Sequence, residues 1–420
     1  MSLHYSFPRI TNIRDVLPYI DECFRVVEKE GLTFINYVMM GSETFPSFMA
    51  EPETVDPYDG SSQYEAHCIF EHNLRAAIRR ECRGIVFDTA TGEIVSRPFH
   101  KFFNAGERVE LALDLIDVSR PHFILEKLDG SMIRPLPTSG GIRWGTKMGI
   151  TDVGMVAECF VATRPEYVEF AEQCLEKGLT PLFEFCSRDT RIVLDYPEDR
   201  MVLTGIRDNV SGEYTSHADM KHIGAQFGFE VVNRDFFMVE DMVGYVADVK
   251  REDASEGVVI RFHDGHMLKV KNDWYVRVHR AKDMIRSEMR LLDLVLNEEL
   301  DDLLPTLMDE DRGRVLSYVD SFYNEVNHAI DMVSGLYGYA RAEYATKKDF
   351  ALGKKDMDAS IRSIIFGLWD GKHENCGDAV LKVIRAGMSS ETKFAEMKSR
   401  MNLNTGWDEI WGKNVMEEAA

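Results

Sequence analysis

The strongest constraint on the fold is a change in sequence pattern near residue 280. Before that point, short runs of β-branched and aromatic residues alternate with turn residues, which predicts strands. After it, apolar residues recur at the spacing of amphipathic helices. The sequence therefore predicts an α+β chain with a strand-rich domain over residues 1–280 and an all-helical C-terminal domain over residues 281–420. The predicted helical stretches are 281–300, 312–345, 358–369 and 377–400.

Several of the predicted strands are joined by short turns. Residues 85–88 and 93–96 flank Thr-Ala-Thr-Gly and predict a hairpin, and residues 132–147 fold back through Ser-Gly-Gly. A third strand pair, within residues 258–271, reverses at an Asp-Gly turn. Because side chains alternate along a strand, Lys269 and Lys271 should lie on one face.

The composition excludes several classes of protein. A formal net charge of −22 is unusual for a chain that binds nucleic acid, so any such binding needs its basic residues concentrated in a groove. No apolar run is long enough to span a bilayer and the N-terminus lacks a signal pattern, so we expect a cytoplasmic protein. The seven cysteines contain no Cys-x-x-Cys pair, which indicates free thiols rather than disulfides or a structural zinc site.

Lys127 opens the most informative motif, Lys-Leu-Asp-Gly, at the end of a predicted strand. A lysine can act as a nucleophile when burial and neighbouring cations lower its pKa, and we expect that for Lys127. Gly130 would then allow the backbone to approach a ligand closely. The alternative is a strand that simply ends in an Asp-Gly turn.

An ordered set of charged motifs surrounds this lysine. Glu184 lies in Leu-Phe-Glu-Phe, Glu256 precedes Gly-Val-Val-Ile, and Lys269-Val-Lys271 is followed by Trp-Tyr275. In order and spacing, these segments resemble nucleotidyltransferase motifs I, III, IV and V of the polynucleotide ligase and capping-enzyme superfamily.

Upstream segments narrow the resemblance further. Arg-Gly-Ile-Val-Phe at 83–87, Ser-Arg-Pro-Phe-His-Lys-Phe-Phe-Asn at 96–104 and Gly-Thr-Lys at 145–147 are similar to the phage-type RNA ligase 1 family. The resemblance covers residues 83–275 closely. It implies a nucleotidyltransferase (ATP-grasp-like) domain, with two antiparallel sheets that enclose the nucleotide, followed by a helical domain.

The resemblance also implies a reaction. ATP would adenylate Lys127, the AMP would pass to an RNA 5′-phosphate, and a 3′-hydroxyl would then displace it. Glu184 would bind the ribose, Glu256 would bind Mg²⁺ or Mn²⁺, and catalysis would rest on Lys127, Glu256, Lys269 and Lys271. The full set of implied nucleotide-binding residues is Arg83, Lys101, Phe103, Glu126, Lys127, Lys147, Glu184, Lys269, Lys271 and Tyr275. Either Phe102 or Phe103 would face the nucleotide, and Tyr275 would add a phosphate contact.

Three alternatives remain open at this point. A DNA ligase and a GTP-using capping-type enzyme share these motifs, although both usually continue into a β-barrel domain where helices are predicted here. The third is an RNA-binding module without catalytic activity. As partner we expect RNA, including nicked tRNA, bound by a monomer without a membrane, in the cytoplasm of the host if a phage encodes the chain.

Overall fold

The computed structural model describes residues 6–50, 55, 58–235 and 238–411. The chain divides into two compact units, Met1–Val276 and Arg277–Ala420. The first unit contains all twelve strands found in the described residues, and the second contains helices. The α+β class, with antiparallel sheets and a C-terminal helical region, is therefore confirmed.

The strands form three antiparallel sheets of four strands each, where the sequence predicted two. Their orders are β1-β2-β3-β4, β10-β5-β11-β12 and β7-β6-β8-β9. The strands are β1 (Phe24–Lys29), β2 (Leu32–Tyr37), β3 (Arg83–Asp88), β4 (Ile94–Ser96), β5 (His122–Glu126), β6 (Ser131–Thr138), β7 (Gly141–Gly145), β8 (Leu179–Cys186), β9 (Arg200–Asp208), β10 (Arg234–Asp235), β11 (Gly257–Phe262) and β12 (Met267–Lys271).

The first unit also contains helices that the strand-rich pattern did not predict. They are α1 (Gly60–Glu81), α2 (Asp152–Val161), α3 (Pro165–Glu176), α4 (His217–Phe227) and α5 (Met242–Arg251). Short 3-10 helices lie at Ile13–Asp15, Leu17–Tyr19 and Val109–Leu111. Helix α1 ends at Glu81, whose carboxylate is buried. This carboxylate lies 3.1 Å from Arg97 and 2.7 Å from Arg207.

The helices of the second part begin slightly before the predicted boundary. They are α6 (Asp273–Ile285), α7 (Glu288–Leu296), α8 (Leu300–Leu303), α9 (Asp309–Glu343), α10 (Lys347–Gly353), α11 (Ala359–Trp369), α12 (Cys376–Gly387), α13 (Glu391–Met401) and α14 (Trp407–Trp411), with a 3-10 turn at Leu304–Thr306. The stretch predicted as one helix over 377–400 is broken, because Ser390 caps a new helix by accepting the backbone N–H of Lys393. None of the described helices is both long and apolar enough to span a bilayer.

The predicted hairpins are present, and they place the charged motifs at strand ends. Strand β5 pairs with β11, and β11 pairs with β12, so the segments around residues 127, 256 and 271 come together at one edge of a sheet. Strand β8 brings Glu184 from the sheet β7-β6-β8-β9, and β3 brings Arg83 from the sheet β1-β2-β3-β4. The site is therefore assembled where the three sheets of the first unit meet.

Candidate active site

Lys127 lies directly after β5 and is fixed by its own backbone. Its N–H donates to the carbonyl oxygen of Gly257, 3.1 Å away at the start of β11. Its side chain is 20% exposed, and Nζ lies 2.8 Å from Oε2 of Glu256. The amine is therefore partly exposed and paired with the carboxylate of Glu256.

Glu256 is the buried centre of this pair. Its second oxygen, Oε1, lies 2.8 Å from Nζ of Lys271, and the residue is only 3% exposed. Gly257 explains how the strand begins so close to the carboxylate. Its φ is +130°, and an added Cβ would lie 2.0 Å from the carbonyl oxygen of Val270, so no other residue fits there.

The charge state of Lys127 differs from the sequence expectation. Burial alone would lower the pKa of Lys127, but the carboxylates of Glu256 and then Glu184 outweigh it and hold the pKa above its ordinary value. Burial would likewise raise the pKa of Glu256, yet Lys127 and Lys271 keep it below its ordinary value. The prediction of a lowered lysine pKa was wrong, because the charged groups with the largest effect on Lys127 are acids and not cations.

Glu184 is an acid of intermediate strength within the same site. Burial on β8 raises its pKa to about 7, although the ammonium group of Lys127 acts in the opposite direction. At neutral pH the carboxyl group is therefore divided between its two protonation states. It can donate or accept a hydrogen bond, which suits a group that binds a sugar hydroxyl.

Four further cations surround the Lys127–Glu256 pair, and we call them the cation cluster: Arg83, Lys101, Lys147 and Lys269. In the described part of the chain, none of the four has a carboxylate within 4 Å. Burial, followed by the charges of Lys101, Lys127, Lys271 and Arg83, lowers the pKa of Lys269 to about 7.

The other lysines of the cluster show the same pattern. Burial followed by Arg83 lowers the pKa of Lys101 to about 8, and the same two causes lower the pKa of Lys147. Glu107 partly opposes this shift at Lys101. Like charges held close together repel one another, and a bound anion relieves that repulsion. The cluster therefore has the character of a site for a polyanion such as a polyphosphate.

The donor set also fits a divalent metal ion, within limits. Glu256 offers carboxylate oxygens, the ligands that Mg²⁺ and Mn²⁺ prefer. No group of three or more His, Cys, Asp or Glu side chains in the described residues is arranged to hold a metal by itself. Such sparse protein ligation is typical of Mg²⁺, which completes its coordination with water and substrate phosphates.

Asp129, the acid of the Lys-Leu-Asp-Gly motif, holds the site together. It is 3% exposed and accepts the backbone N–H groups of Val193 and Leu194 at 2.8 and 2.6 Å. Its own N–H donates to the hydroxyl of Tyr196, 3.0 Å away. Sequence analysis predicted no role for Asp129 or for the loop that contains Val193, and its only available signal was the presence of Asp129 in the Lys-Leu-Asp-Gly motif.

Tyr275 is also tied to Asp129. Its hydroxyl donates to Oδ1 of Asp129 at 2.6 Å, and the residue is 2% exposed at the start of α6. The geometry therefore does not support the predicted phosphate contact by Tyr275, because its hydroxyl is buried and donates to a carboxylate. Tyr275 instead positions the loop of residues 127–130, which we call the lysine loop.

Gly130 is required for a different reason from the one expected. A Cβ at this position would lie 2.5 Å from the carbonyl oxygen of Phe185 on β8. The close approach is therefore to the protein's own strand and not to a ligand. The glycine lets the lysine loop pack against the strand that carries Glu184.

Of the two candidate aromatic residues, Phe103 is the more buried, although its ring centre lies 5.1 Å from Nζ of Lys101 in the cation cluster. It is 1% exposed and packs in the core, with its ring 5.7 Å from that of Phe45. Phe102 is half-buried, and its ring centre lies 5.8 Å from Nζ of Lys269. Glu126 is exposed at the end of β5 and accepts a hydrogen bond from the Asn233 side chain at 2.9 Å.

Features outside this site do not gather the predicted residues. All seven cysteines are free. A cavity of about 580 Å³, lined by residues such as Cys159, Phe160 and Arg188, contains none of the predicted site residues.

Comparison with known proteins points to one family. The family described as RNA ligase matches residues 81–275, the segment that contains the whole site. The chain is 30% identical over 278 residues to "Putative RNA ligase" of Thermovibrio ammonificans, covering 63% of this chain and 72% of that protein. It is 26% identical over 329 residues to "RNA ligase 1" of Bacteriophage TS2126, covering 76% and 79% of the two chains.

Similarity to solved structures is weaker. An RNA ligase of Naegleria gruberi, solved with ATP and Mn, aligns at 17% identity with a TM-score of 0.34, covering 41% of this chain and 56% of that one. An archaeal ATP-dependent RNA ligase aligns at 13% identity with a TM-score of 0.39, covering 76% and 79%.

Proposed function

Since the chain belongs to the RNA ligase family, we propose that it uses ATP to join an RNA 5′-phosphate to an RNA 3′-hydroxyl. The Nζ of Lys127 attacks the α-phosphorus of ATP, forms a phosphoramidate with AMP and releases pyrophosphate. The AMP then passes to the RNA 5′-phosphate, which frees the lysine. Attack by the 3′-hydroxyl on that activated phosphate forms the phosphodiester and releases AMP.

One observation carries this proposal. A lysine amine lies 2.8 Å from a buried carboxylate, beside four cations that have no described carboxylate within 4 Å. A nucleophile next to a cluster of cations that can bind a polyanion is the arrangement that attack on a nucleoside triphosphate requires. A module that only binds RNA needs the cations but not the paired lysine.

The proposed residue roles follow from this arrangement. Glu184 binds the ribose, while Lys269 and Lys271 stabilise the negative charge that develops on the α-phosphate. Arg83, Lys101 and Lys147 bind the outer phosphates of ATP or the RNA phosphate. Mg²⁺ or Mn²⁺ bound at Glu256 would supply further charge stabilisation for the phosphate oxygens.

Proton transfer is the least expected part of this scheme. Lys127 is protonated because its pKa is raised, so before it attacks it must pass a proton to an acceptor, and the carboxylate of Glu256 lies within reach at 2.8 Å. Glu256, which accepts from both Lys127 and Lys271, controls this step through its own charge. We propose that weakening of the Lys127–Glu256 pair on substrate binding makes the amine nucleophilic.

The test of the proposed function is a labelling experiment. The protein is incubated with radiolabelled ATP, GTP or NAD, and a covalent, acid-labile adduct is sought after denaturation. The adduct is then chased with 5′-phosphorylated RNA or DNA of equal sequence. Label from ATP that moves to RNA supports the proposal, whereas a GTP adduct or a transfer only to DNA would replace it with a capping-type or DNA-joining function.

The lysine cluster predicts how anion binding depends on pH. Lys269 has its folded pKa lowered to about 7, so it loses its charge as the pH rises above 7, and a bound anion must restore that charge. The affinity for inorganic pyrophosphate should therefore fall between about pH 7 and 9. Arginine in Lys269→Arg keeps its charge throughout this range. The affinity of this variant for pyrophosphate should therefore fall about tenfold less than that of the wild type.

Isothermal titration calorimetry at several pH values would measure this difference. Comparison of the two proteins cancels the titration of pyrophosphate itself. Parallel pH curves for the wild type and Lys269→Arg would contradict the assignment of Lys269 to the anion site.

We propose that the helical region selects the RNA substrate, including nicked tRNA. Basic residues are concentrated around α10, which begins at Lys347. The ammonium group of Lys354 lies 5.3 Å from the ring centre of Tyr339, which is 44% exposed. Lys347 and Lys354 are half-buried, and Lys347 also pairs with Asp370 at 2.5 Å. Cations beside an exposed aromatic ring suit single-stranded or looped RNA. The residues of this patch include Lys347, Lys348, Lys354 and Lys355.

A truncated chain should separate adenylation from substrate selection. Every proposed adenylation residue precedes residue 276, and α6 ends at Ile285, so a fragment ending at Arg286 keeps that helix whole. The fragment should form the AMP adduct but lose its preference for a nicked stem-loop over an unstructured strand. Sealing rates on the two RNAs are compared with those of the full chain, and an unchanged ratio would limit the helical region to stability.

A further inference from the structure

Arg134 is a buried arginine without an acidic partner. It lies on β6, and its side chain is 0% exposed. The groups that shift its pKa are burial and the neighbouring Arg83, which together lower it to about 9, and no described carboxylate lies within 4 Å. A buried charge of this kind is unfavourable unless something compensates it.

Other buried arginines of the same unit are compensated. Arg97 and Arg207 are equally shielded from solvent, and both pair with the buried carboxylate of Glu81 at 3.1 and 2.7 Å. The fold can therefore supply a counter-ion to a buried guanidinium. At Arg134 the nearest charge is instead another cation.

The hydrogen bonds of Arg134 connect it to the cation cluster. Nη1 donates to Oγ of Ser96 at 2.9 Å, and Nη2 donates to the carbonyl oxygen of Gly84. Gly84 has a φ of +88°, and a Cβ there would lie 2.6 Å from the carbonyl oxygen of Lys147. Arg134 thus holds the backbone at the point where the segment of Arg83 touches the segment of Lys147.

We propose that Arg134 is a positioning residue of the phosphate site, which sets Arg83 against Lys147 and adds its own buried charge to the field that binds the anion. The inference rests on the proposed function in one respect, because the anion that compensates Arg134 is then the polyphosphate of ATP. An anion bound by the cation cluster would balance the charge of Arg134. The energetic cost of that uncompensated charge therefore favours binding of the anion.

The experiment measures the affinity for inorganic pyrophosphate in three variants. Arg134→Met and Arg134→Gln remove the charge, and Gln can still donate to the carbonyl of Gly84 if the Met variant fails to fold. Arg134→Lys keeps the charge. We expect the neutral variants to bind pyrophosphate about tenfold more weakly or worse, and the lysine variant to recover most of that loss.

Arg261 provides a matched control. It is also a buried arginine, 3% exposed, whose described partners include the carbonyl of Thr215 but no carboxylate. Arg261→Gln should leave pyrophosphate affinity within about twofold of the wild type. Thermal unfolding of every variant reports purely structural damage.

Two outcomes would overturn the proposal. In the first, folded neutral variants bind pyrophosphate as the wild type does. In the second, Arg134→Lys and Arg134→Gln lose the same affinity, which a purely structural arginine would produce. Pyrophosphate binding is measured without ATP or RNA, so failure of the ligase function would appear only in the adduct assay.

Discussion

Lys127→Ala should form no detectable covalent AMP adduct with ATP. We expect the yield of adduct to fall by at least about 10³-fold. The reason is geometric. Lys127 is the lysine at the end of β5, and its backbone N–H is fixed to Gly257, so its amine has a defined place beside Glu256. Lys271 contacts the other oxygen of the same carboxylate, but it lies on β12 and approaches from a different strand.

The measurement is the yield of radiolabelled protein after denaturation, with peptide mapping of the wild-type adduct. Lys250→Ala, an exposed lysine on α5, is the control and should label normally. The raised pKa of Lys127 adds a signature, because the wild-type labelling rate should increase with pH as the amine loses its proton. Label on Lys127→Ala, or a wild-type adduct mapped to another lysine, would show that the nucleophile is misassigned.

The grouping of Lys127, Glu256 and Lys271 was predictable because each of the three lies at or next to the end of a strand. Turn residues mark strand ends in sequence, and antiparallel pairing of β5, β11 and β12 then brings those ends to one edge. The helical region was predictable from apolar periodicity alone. The family resemblance that these motifs suggested is confirmed by the comparison with known proteins.

The side on which each aromatic residue points was not predictable. Phe102 and Phe103 lie in a segment without regular secondary structure, so alternation along a strand does not apply. Phe102 is half-buried beside Lys269, while Phe103 is buried in the core with its ring beside Lys101. Tyr275 belongs to a helix whose first turn is directed at Asp129. In both cases the direction of the side chain depends on tertiary contacts.

The charge state of Lys127 was also not predictable from the sequence. The sequence shows five cations near it in motif order, and these suggested a lowered pKa. The actual direction depends on distance, and the nearest charge is the carboxylate of Glu256 at 2.8 Å. Arg134 escaped notice for a related reason, since nothing in a sequence shows that an arginine on a strand lacks an acidic partner.

RNA that already carries a 5′-adenylate should separate the nucleophile from the metal ligand. The lysine has no further covalent role on this substrate, and in Lys127→Ala the carboxylate of Glu256 keeps its contact with Lys271. Lys127→Ala should therefore retain measurable sealing. Glu256→Ala removes the buried carboxylate itself and leaves two ammonium groups without their partner, so its sealing rate should fall by about 10²-fold or more.

Both variants are assayed with and without added Mg²⁺ or Mn²⁺, and thermal unfolding confirms that each is folded. Glu256→Gln is the matched control, because it keeps the size of the side chain and its oxygen acceptor but loses the negative charge. If the negative charge of Glu256 is needed to bind the metal ion, the sealing rate of Glu256→Gln should be nearly as low as that of Glu256→Ala. Equal sealing rates for Lys127→Ala and Glu256→Ala would contradict the division of roles, because a carboxylate needed only to orient Lys127 has no function once the RNA is adenylated.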